Sequence, residues 1–389
     1  MPTIAPACSL QMKDHVQQSR MVTPDLQRIR FGVNYVPSQK WWYCWNDFDP
    51  SEIAADFDAI AELGADHIRI MLVWPWFQPN RTWVSPAHLE RLDVLMRLAA
   101  TRRLDVCVAM LTGWLSGWAF RPTFDRPDTF YTAPEMAEPV ELYFSACAGV
   151  LNAHANFLGF DLGNEMNCCW RAATTAQGDA FMERTLALAG RLSPQGVHVN
   201  GVDHCPWFFE GRTGTFSPGA LATQHRIIPL HCWIEFTGAR QRGGPRDRAC
   251  THLAPAMAAL ARAHAGDSRK PVWLQEFGAS TKWMDADEIP VFLESAARAA
   301  VAGGIAWITW WCSHDILPHY QFDPLEYDLG LITTDNRLKP AGRAFQKLAA
   351  ELRGKPVPAA PEIPLPPLPQ TRTHEATWAW LAEVQNALP

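Results

Sequence analysis

The sequence of 389 residues has no window long and apolar enough to span a bilayer. Residues 1–30 also lack the continuous apolar stretch of a secretion signal. Basic runs are missing: 34 Lys and Arg face 40 Asp and Glu, a net charge of −6. Neither nucleic acid nor an anionic membrane is therefore an expected partner. The ten cysteines show no CxxC and no Cys/His metal spacing. The adjacent Cys168 and Cys169 cannot easily bond to each other, and most of the rest suit small buried apolar positions. These features together point to a reducing cytoplasm. No internal repeat of solenoid length occurs. What is present is apolar bulk: 48% of the residues are hydrophobic, enough for a large core and too many for a disordered chain.

After a polar leader (1–28), short β-like runs alternate with amphipathic stretches. The predicted strands are 30–35, 66–73, 104–110, 157–163, 197–202, 226–231, 271–275 and 305–311. Eight strands alternating with helices predict an α/β protein, a (β/α)8 TIM barrel. Asp49-Pro50-Ser51-Glu52 predicts a capping box that opens a helix carrying Ile53, Phe57 and Ile60 on one face, with Gly64 as its stop. Ser85-Pro86 opens the next, with Leu89, Leu92 and Met96 on its face. Later helices are expected from Ile289 to Gly303-Gly304 and from Pro340 to Gly354, while 204–225 carries only weak helix signals. The barrel accordingly spans 29–354 as a single domain. A proline-rich tail (355–389) follows, extended over 356–369 and ending in a short helix, 374–387, with Trp378, Trp380 and Leu381. That tail either folds back onto the barrel or meets another subunit in a homo-oligomer.

Two glutamates stand where strands end, Glu165 after the fourth and Glu276 at the end of the seventh, and barrel chemistry sits at those ends. A pair of carboxyl groups about 5 Å apart can protonate a glycosidic oxygen and attack the anomeric carbon. Asn164 would reach the neighbouring sugar hydroxyl; otherwise it is a turn asparagine. Arg69 is a cation inside an apolar strand and needs a buried carboxylate, most simply Glu276. His231 could orient either glutamate. Trp310 and Trp311 close the eighth strand, and alternation allows only one of them to floor the site. Eighteen tryptophans include several in loops, where flat faces could stack on sugar rings. The first loop carries Trp41, Trp42 and Trp45. The third (111–136) carries Trp114, Trp118, Phe120, Arg121 and Phe124, and the eighth adds His314, Asp315, His319 and Tyr320. Such walls predict a closed pocket and removal of one sugar at a time. From another class, Glu165, Asp203, His231 and Glu276 could imitate the metal ligands of a sugar isomerase or epimerase. That alternative leaves Asn164, Arg69 and the tryptophans without a role. The hydrolase reading calls for no cofactor and no metal, and its partner is a small oligosaccharide.

Arg69 through Trp74, Gly163-Asn164-Glu165, Gln275-Glu276-Phe277-Gly278, and Tyr327 through Leu331 with Lys339-Pro340 resemble glycoside hydrolase clan A, and specifically family 5. The resemblance covers about 30–352. It implies Glu165 as acid/base, Glu276 as nucleophile and a retaining mechanism. Family 5 usually carries His-x-Tyr at the sixth strand, where this chain has His231-Cys232-Trp233, so the tyrosine's role is lost or supplied elsewhere. Phe31 through Ser38, which includes Asn34, and Trp74 through Thr82 look like subfamily 18. That subfamily implies a β-mannosidase acting on mannosyl-β-1,4-N-acetylglucosamine, the core of N-glycans, with an endo-acting mannanase or glucanase as the alternative.

Overall fold

The computed structural model describes residues 23–210, 215–321 and 323–389, so most of the leader lies outside the described residues. Among them, seven parallel strands form the barrel wall: β1 (Arg30–Asn34), β2 (His67–Met71), β3 (Asp105–Ala109), β4 (Phe157–Asp161), β5 (Ile228–His231), β6 (Val272–Phe277) and β7 (Trp307–Trp310). They pair in the order β4-β3-β2-β1-β7-β6-β5. With its flanking helices the wall is that of a (β/α)8 barrel.

The expected strand over 197–202 is not a regular strand. It follows β4 through Val197 N to Leu158 O (2.8 Å), Val199 N to Phe160 O (2.9 Å) and Leu162 N to Val199 O (2.8 Å). The amide of Phe160 donates instead to the His198 ring (3.1 Å), which interrupts the ladder. Backbone contact is unusually close here: Gly159 has φ 149°, and a Cβ on it would lie 2.1 Å from Val197 O. Only glycine fits such an approach.

Helices Pro50–Glu62, Pro86–Thr101, Ala137–Leu151, Thr175–Leu192, Leu253–Ala265, Glu288–Ala302 and Pro340–Leu352 surround the wall. Ser85 caps its helix at the His88 amide, as its position predicts. At Asp49 the expected reciprocal box does not form. Its carboxylate accepts from Ser51 N (2.8 Å), while Glu52 pairs with Lys40 (3.3 Å). The weak segment 204–225 holds two short helices, Cys205–Phe208 and Pro218–Thr223. No helix among the described residues is long and apolar enough to cross a membrane.

The tail folds back onto its own chain. Val357 N donates to Gln27 O (2.9 Å), and helix His374–Ala387 buries Trp378, Trp380 and Leu381. Trp378 Nε1 donates to Thr237 O (2.6 Å), and Arg248 Nε donates to Gln385 O (2.9 Å).

The barrel interior is layered along its axis. At the amino-terminal end Trp273 and Trp307 pack edge to face at 5.1 Å, and His67 and Trp273 both bond the Thr309 hydroxyl (2.7 and 2.6 Å). Above this plug lies a polar layer formed by Asn34, Arg69, Asp161 and Gln275, all fully buried. The candidate site sits on that layer.

Candidate active site

Gln275 and Glu276 are consecutive, and in a regular strand they would face opposite sides of the wall. A bulge in β6 removes the conflict. Between the pairs Leu230–Leu274 and His231–Glu276, β5 advances one residue while β6 advances two. Both side chains then turn inward. Glu165 follows β4 in the left-handed conformation (φ 46°, ψ 47°), unusual for a residue with a Cβ, and its amide is held by Gly201 O at 2.9 Å. Gly201 itself is obligatory, since a Cβ would lie 2.4 Å from Gln275 Oε1 and 2.8 Å from Asp161 Oδ2.

Arg69 organises the floor. Its Nη1 donates to Glu276 Oε1 (2.7 Å) and Asn34 Oδ1 (3.0 Å), its Nη2 to Asn164 Oδ1 (2.7 Å), and its Nε to Asp161 Oδ2 (2.8 Å). The expected Arg69–Glu276 pair is therefore part of a larger set in which Asp161 is the second carboxylate. A buried guanidinium so enclosed stays charged and keeps its geometry. Asn34 is not free to meet a substrate: its amide donates to Gln275 O (3.0 Å) and Trp310 O (3.3 Å), so it ties β1 to β6 and β7.

The hydrogen-bond pattern also determines the protonation of His231. The Asp161 carboxylate can only accept, so Gln275 turns its NH2 toward it (3.1 Å) and its Oε1 toward His231 Nε2 (3.0 Å). Nε2 carries the ring proton, and Nδ1 faces the glutamates as an acceptor, 2.8 Å from Glu165 Oε1 and 3.3 Å from Glu276 Oε2. Burial lowers the His231 pKa, which favours the neutral ring. A protonated Glu165 is the natural donor to Nδ1.

Electrostatics separates the two carboxyl groups. Burial, then repulsion from Asp203, pushes Glu165 up to about 8 against the pull of Arg69. Burial raises Glu276 to about 7; Glu165 adds to the rise and Arg69 opposes it. The direct ion pair to Arg69 belongs to Glu276, so the pair loses its first proton there. One carboxyl oxygen from each glutamate and a His231 nitrogen lie within 4.8 Å of one another.

The tryptophans divide as alternation requires. Trp310 packs against Phe277 (4.9 Å) and donates to Leu329 O (2.9 Å), away from the glutamates. Trp311 instead lies 6.5 Å from both Trp42 and Trp233. Trp233 donates its indole N–H to Glu276 Oε2 at 3.3 Å and so occupies the place expected of the missing tyrosine. Trp114 and Trp118 lie on a small hairpin at the rim, 40% and 48% exposed, with Trp114 O accepting from Asn164. The metal-ligand alternative is disfavoured by Arg69, a buried cation whose guanidinium holds Glu276 Oε1 beside the would-be ligands, and by Asp203, whose Oδ1 is engaged by Asn167 and by the Cys205 amide. Asp161, Gln275 and Glu326 were not among the sequence candidates. Asp161 and Gln275 could have been found as polar residues inside apolar strands facing Arg69; Glu326 carries no local signal.

A barrel that brings two such carboxyl groups together at the carboxyl ends of its strands defines an O-glycoside hydrolase. No family model and no curated protein matches the chain, but solved structures do. A glutamate-to-alanine variant of a family 5, subfamily 18 protein from Streptomyces cattleya, in complex with Manβ1-4GlcNAc, is 32% identical over 93% of each chain with a TM-score of 0.84. A corresponding variant from Bifidobacterium longum subsp. longum, with the same disaccharide, is 30% identical over 93% of this chain and 90% of that one, TM-score 0.84. An exo-β-1,4-mannosidase from an Opitutaceae bacterium is 25% identical over 87% of this chain and 62% of that one, TM-score 0.74. The chain belongs to glycoside hydrolase family 5, subfamily 18.

Proposed function

We propose that this enzyme is a retaining, exo-acting β-mannosidase that releases mannose from mannosyl-β-1,4-N-acetylglucosamine. The observation that carries this reading is the approach of the Glu165 and Glu276 oxygens to within 4.8 Å. That spacing suits direct attack by one carboxylate and is shorter than the separation of about 6.5–9.5 Å that an inverting enzyme uses. Glu276, ion-paired to Arg69, is the nucleophile. Glu165, neutral near pH 7, gives its proton to the departing oxygen and then takes one from water as the glycosyl-enzyme is hydrolysed. At rest His231 Nδ1, 2.8 Å from Glu165 Oε1, accepts the hydrogen bond of that single proton; when substrate is bound the O–H turns from the ring to the leaving oxygen. Asn164, fixed by Arg69, is the group offered to the sugar's 2-hydroxyl.

Exo action is supported by the way the first, third and eighth loops are knitted together. Trp41 contacts Phe120 (6.1 Å) and Tyr320 (5.5 Å), and Tyr43 stacks on Tyr320 (5.9 Å). These contacts wall off one side of the site, where an open groove would accept a polymer. The disaccharide is the one bound to the relatives from Streptomyces and Bifidobacterium. The nine cysteines among the described residues are all free, in keeping with a reducing cytoplasm.

The test is a comparison of aryl β-glycosides together with the viscosity of glucomannan. The β-mannoside should be cleaved faster than the β-glucoside and β-galactoside, and viscosity should fall slowly while mannose accumulates. Faster cleavage of either other glycoside would overturn the sugar, and early oligomers with rapid thinning would overturn exo action.

A further inference from the structure

A third carboxyl group lies near the glutamate pair. Glu326 sits in the 3-10 turn Pro324–Asp328 of the eighth loop, half-buried, and its Oε2 accepts from Trp311 Nε1 at 3.4 Å. Ser116, on the third-loop hairpin, lies beside that carboxyl. The serine is only 3% exposed, and its hydroxyl turns toward that carboxyl. Trp42, whose ring lies 6.5 Å from Trp311, has a buried indole N–H with no partner among the described residues. Burial pushes Glu326 up to about 8 despite the contacts from Ser116 and Trp311, and repulsion from Glu276 adds to the shift.

A buried donor left unpartnered at an enzyme cleft, as at Trp42, is a place where a ligand atom can complete the hydrogen bonding. A neutral carboxyl both donates and accepts, so it can bind a hydroxyl without opposing the charge on Glu276. We propose that Glu326, with Ser116 at its side and Trp311 beneath, binds a ring hydroxyl of the terminal sugar and so sets which hexose is accepted. This deepens the proposed function and rests on its reading of a terminal sugar bound beside Glu276. A site built to bond a hydroxyl rejects the analogue lacking it, because the protein group is then left unpaired.

The experiment is a series of aryl β-mannosides deoxygenated singly at carbons 2, 3, 4 and 6, assayed on the wild type, Glu326→Ala and Glu326→Gln. For the wild type, at least one deoxygenation other than that at carbon 2, which Asn164 meets, should cost about 10- to 100-fold in kcat/KM. In Glu326→Ala that penalty should nearly vanish, since the bond is already gone, with Glu326→Gln between the two, while the carbon-2 penalty stays. A set of penalties at carbons 3, 4 and 6 that is the same in all three proteins would overturn the proposal and leave Glu326 as a brace for the eighth loop. If the alanine variant does not fold, judged by its melting profile, the glutamine variant decides by the same comparison. Should the wild type prefer a different β-glycoside, the mannosidase reading fails separately, and the deoxy series of the preferred sugar still decides the role of Glu326.

Discussion

Glu165 and Glu276 make different contacts, and removing each should have a different consequence. Glu276→Ala is expected to lose turnover on every substrate, because no covalent intermediate can form. Glu165→Ala should lose about 10²- to 10⁴-fold on the disaccharide and less in the first step with a nitrophenyl glycoside, whose leaving group hardly needs a proton. Azide should rescue Glu165→Ala with a β-glycosyl azide and Glu276→Ala with an α one; exchanged products would reverse the two roles. The rate should follow a narrow bell in pH, its acid limb set by Glu276 near 7 and its alkaline limb by Glu165 near 8. The same shifts affect stability. Unfolded glutamates release their protons near about 4.3. The folded carboxyls hold theirs longer, so the native state loses stability as pH rises from there through about 7 to 8. Glu165→Gln should therefore raise the melting temperature above that window and leave it nearly unchanged below pH 4; a constant shift at all pH values would contradict this. Arg69 was legible as a buried cation in need of a carboxylate, and so was its pairing with Glu276. Its other carboxylate, Asp161, was open to detection as a polar residue inside an apolar strand, although nothing local to it marks that it points at Arg69.

The elements that place these residues depend on irregular backbone. The β6 bulge turns Gln275 and Glu276 inward together, and no alternation rule applied to Val272–Phe277 would allow it. The apolar content of 197–202 correctly marks a segment lying along β4, but His198 intercepts the Phe160 amide and keeps it from becoming a regular strand. Helix starts were easier, because Pro50, Pro86 and Pro340 stand at first helical positions that their local chemistry already favours. The contact between Gly159 and Val197 is one of the closest backbone approaches of this wall. Gly159→Ala should cost more than about 1 kcal/mol in urea unfolding and lower activity by displacing Glu165 at the end of β4. A variant as stable and active as the wild type would show that the wall yields there.

At the scale of the whole molecule, the barrel stacks an aromatic plug, a polar layer and a pair of carboxyl groups along one axis, and the tail helix buries its Trp378 and Leu381 against the rest of the chain. The order of strands and helices made the barrel legible, and the position of the glutamates at strand ends made the site legible. The side wall formed by Trp41, Phe120 and Tyr320 was not, since contacts among distant loops leave no pattern in any one of them. What the assembly does as a unit is displace twice at one carbon, breaking first the glycosidic bond and then the glycosyl–enzyme bond, so that configuration is inverted and then restored. Proton NMR of mannosyl-β-1,4-N-acetylglucosamine during hydrolysis tests this most directly, with and without prior exhaustive chelation. β-Mannose should appear first and only later equilibrate with the α anomer, at the same rate in both samples. An initial α anomer, or activity lost to chelation and restored by Mn²⁺, would contradict the double displacement assigned to Glu165 and Glu276.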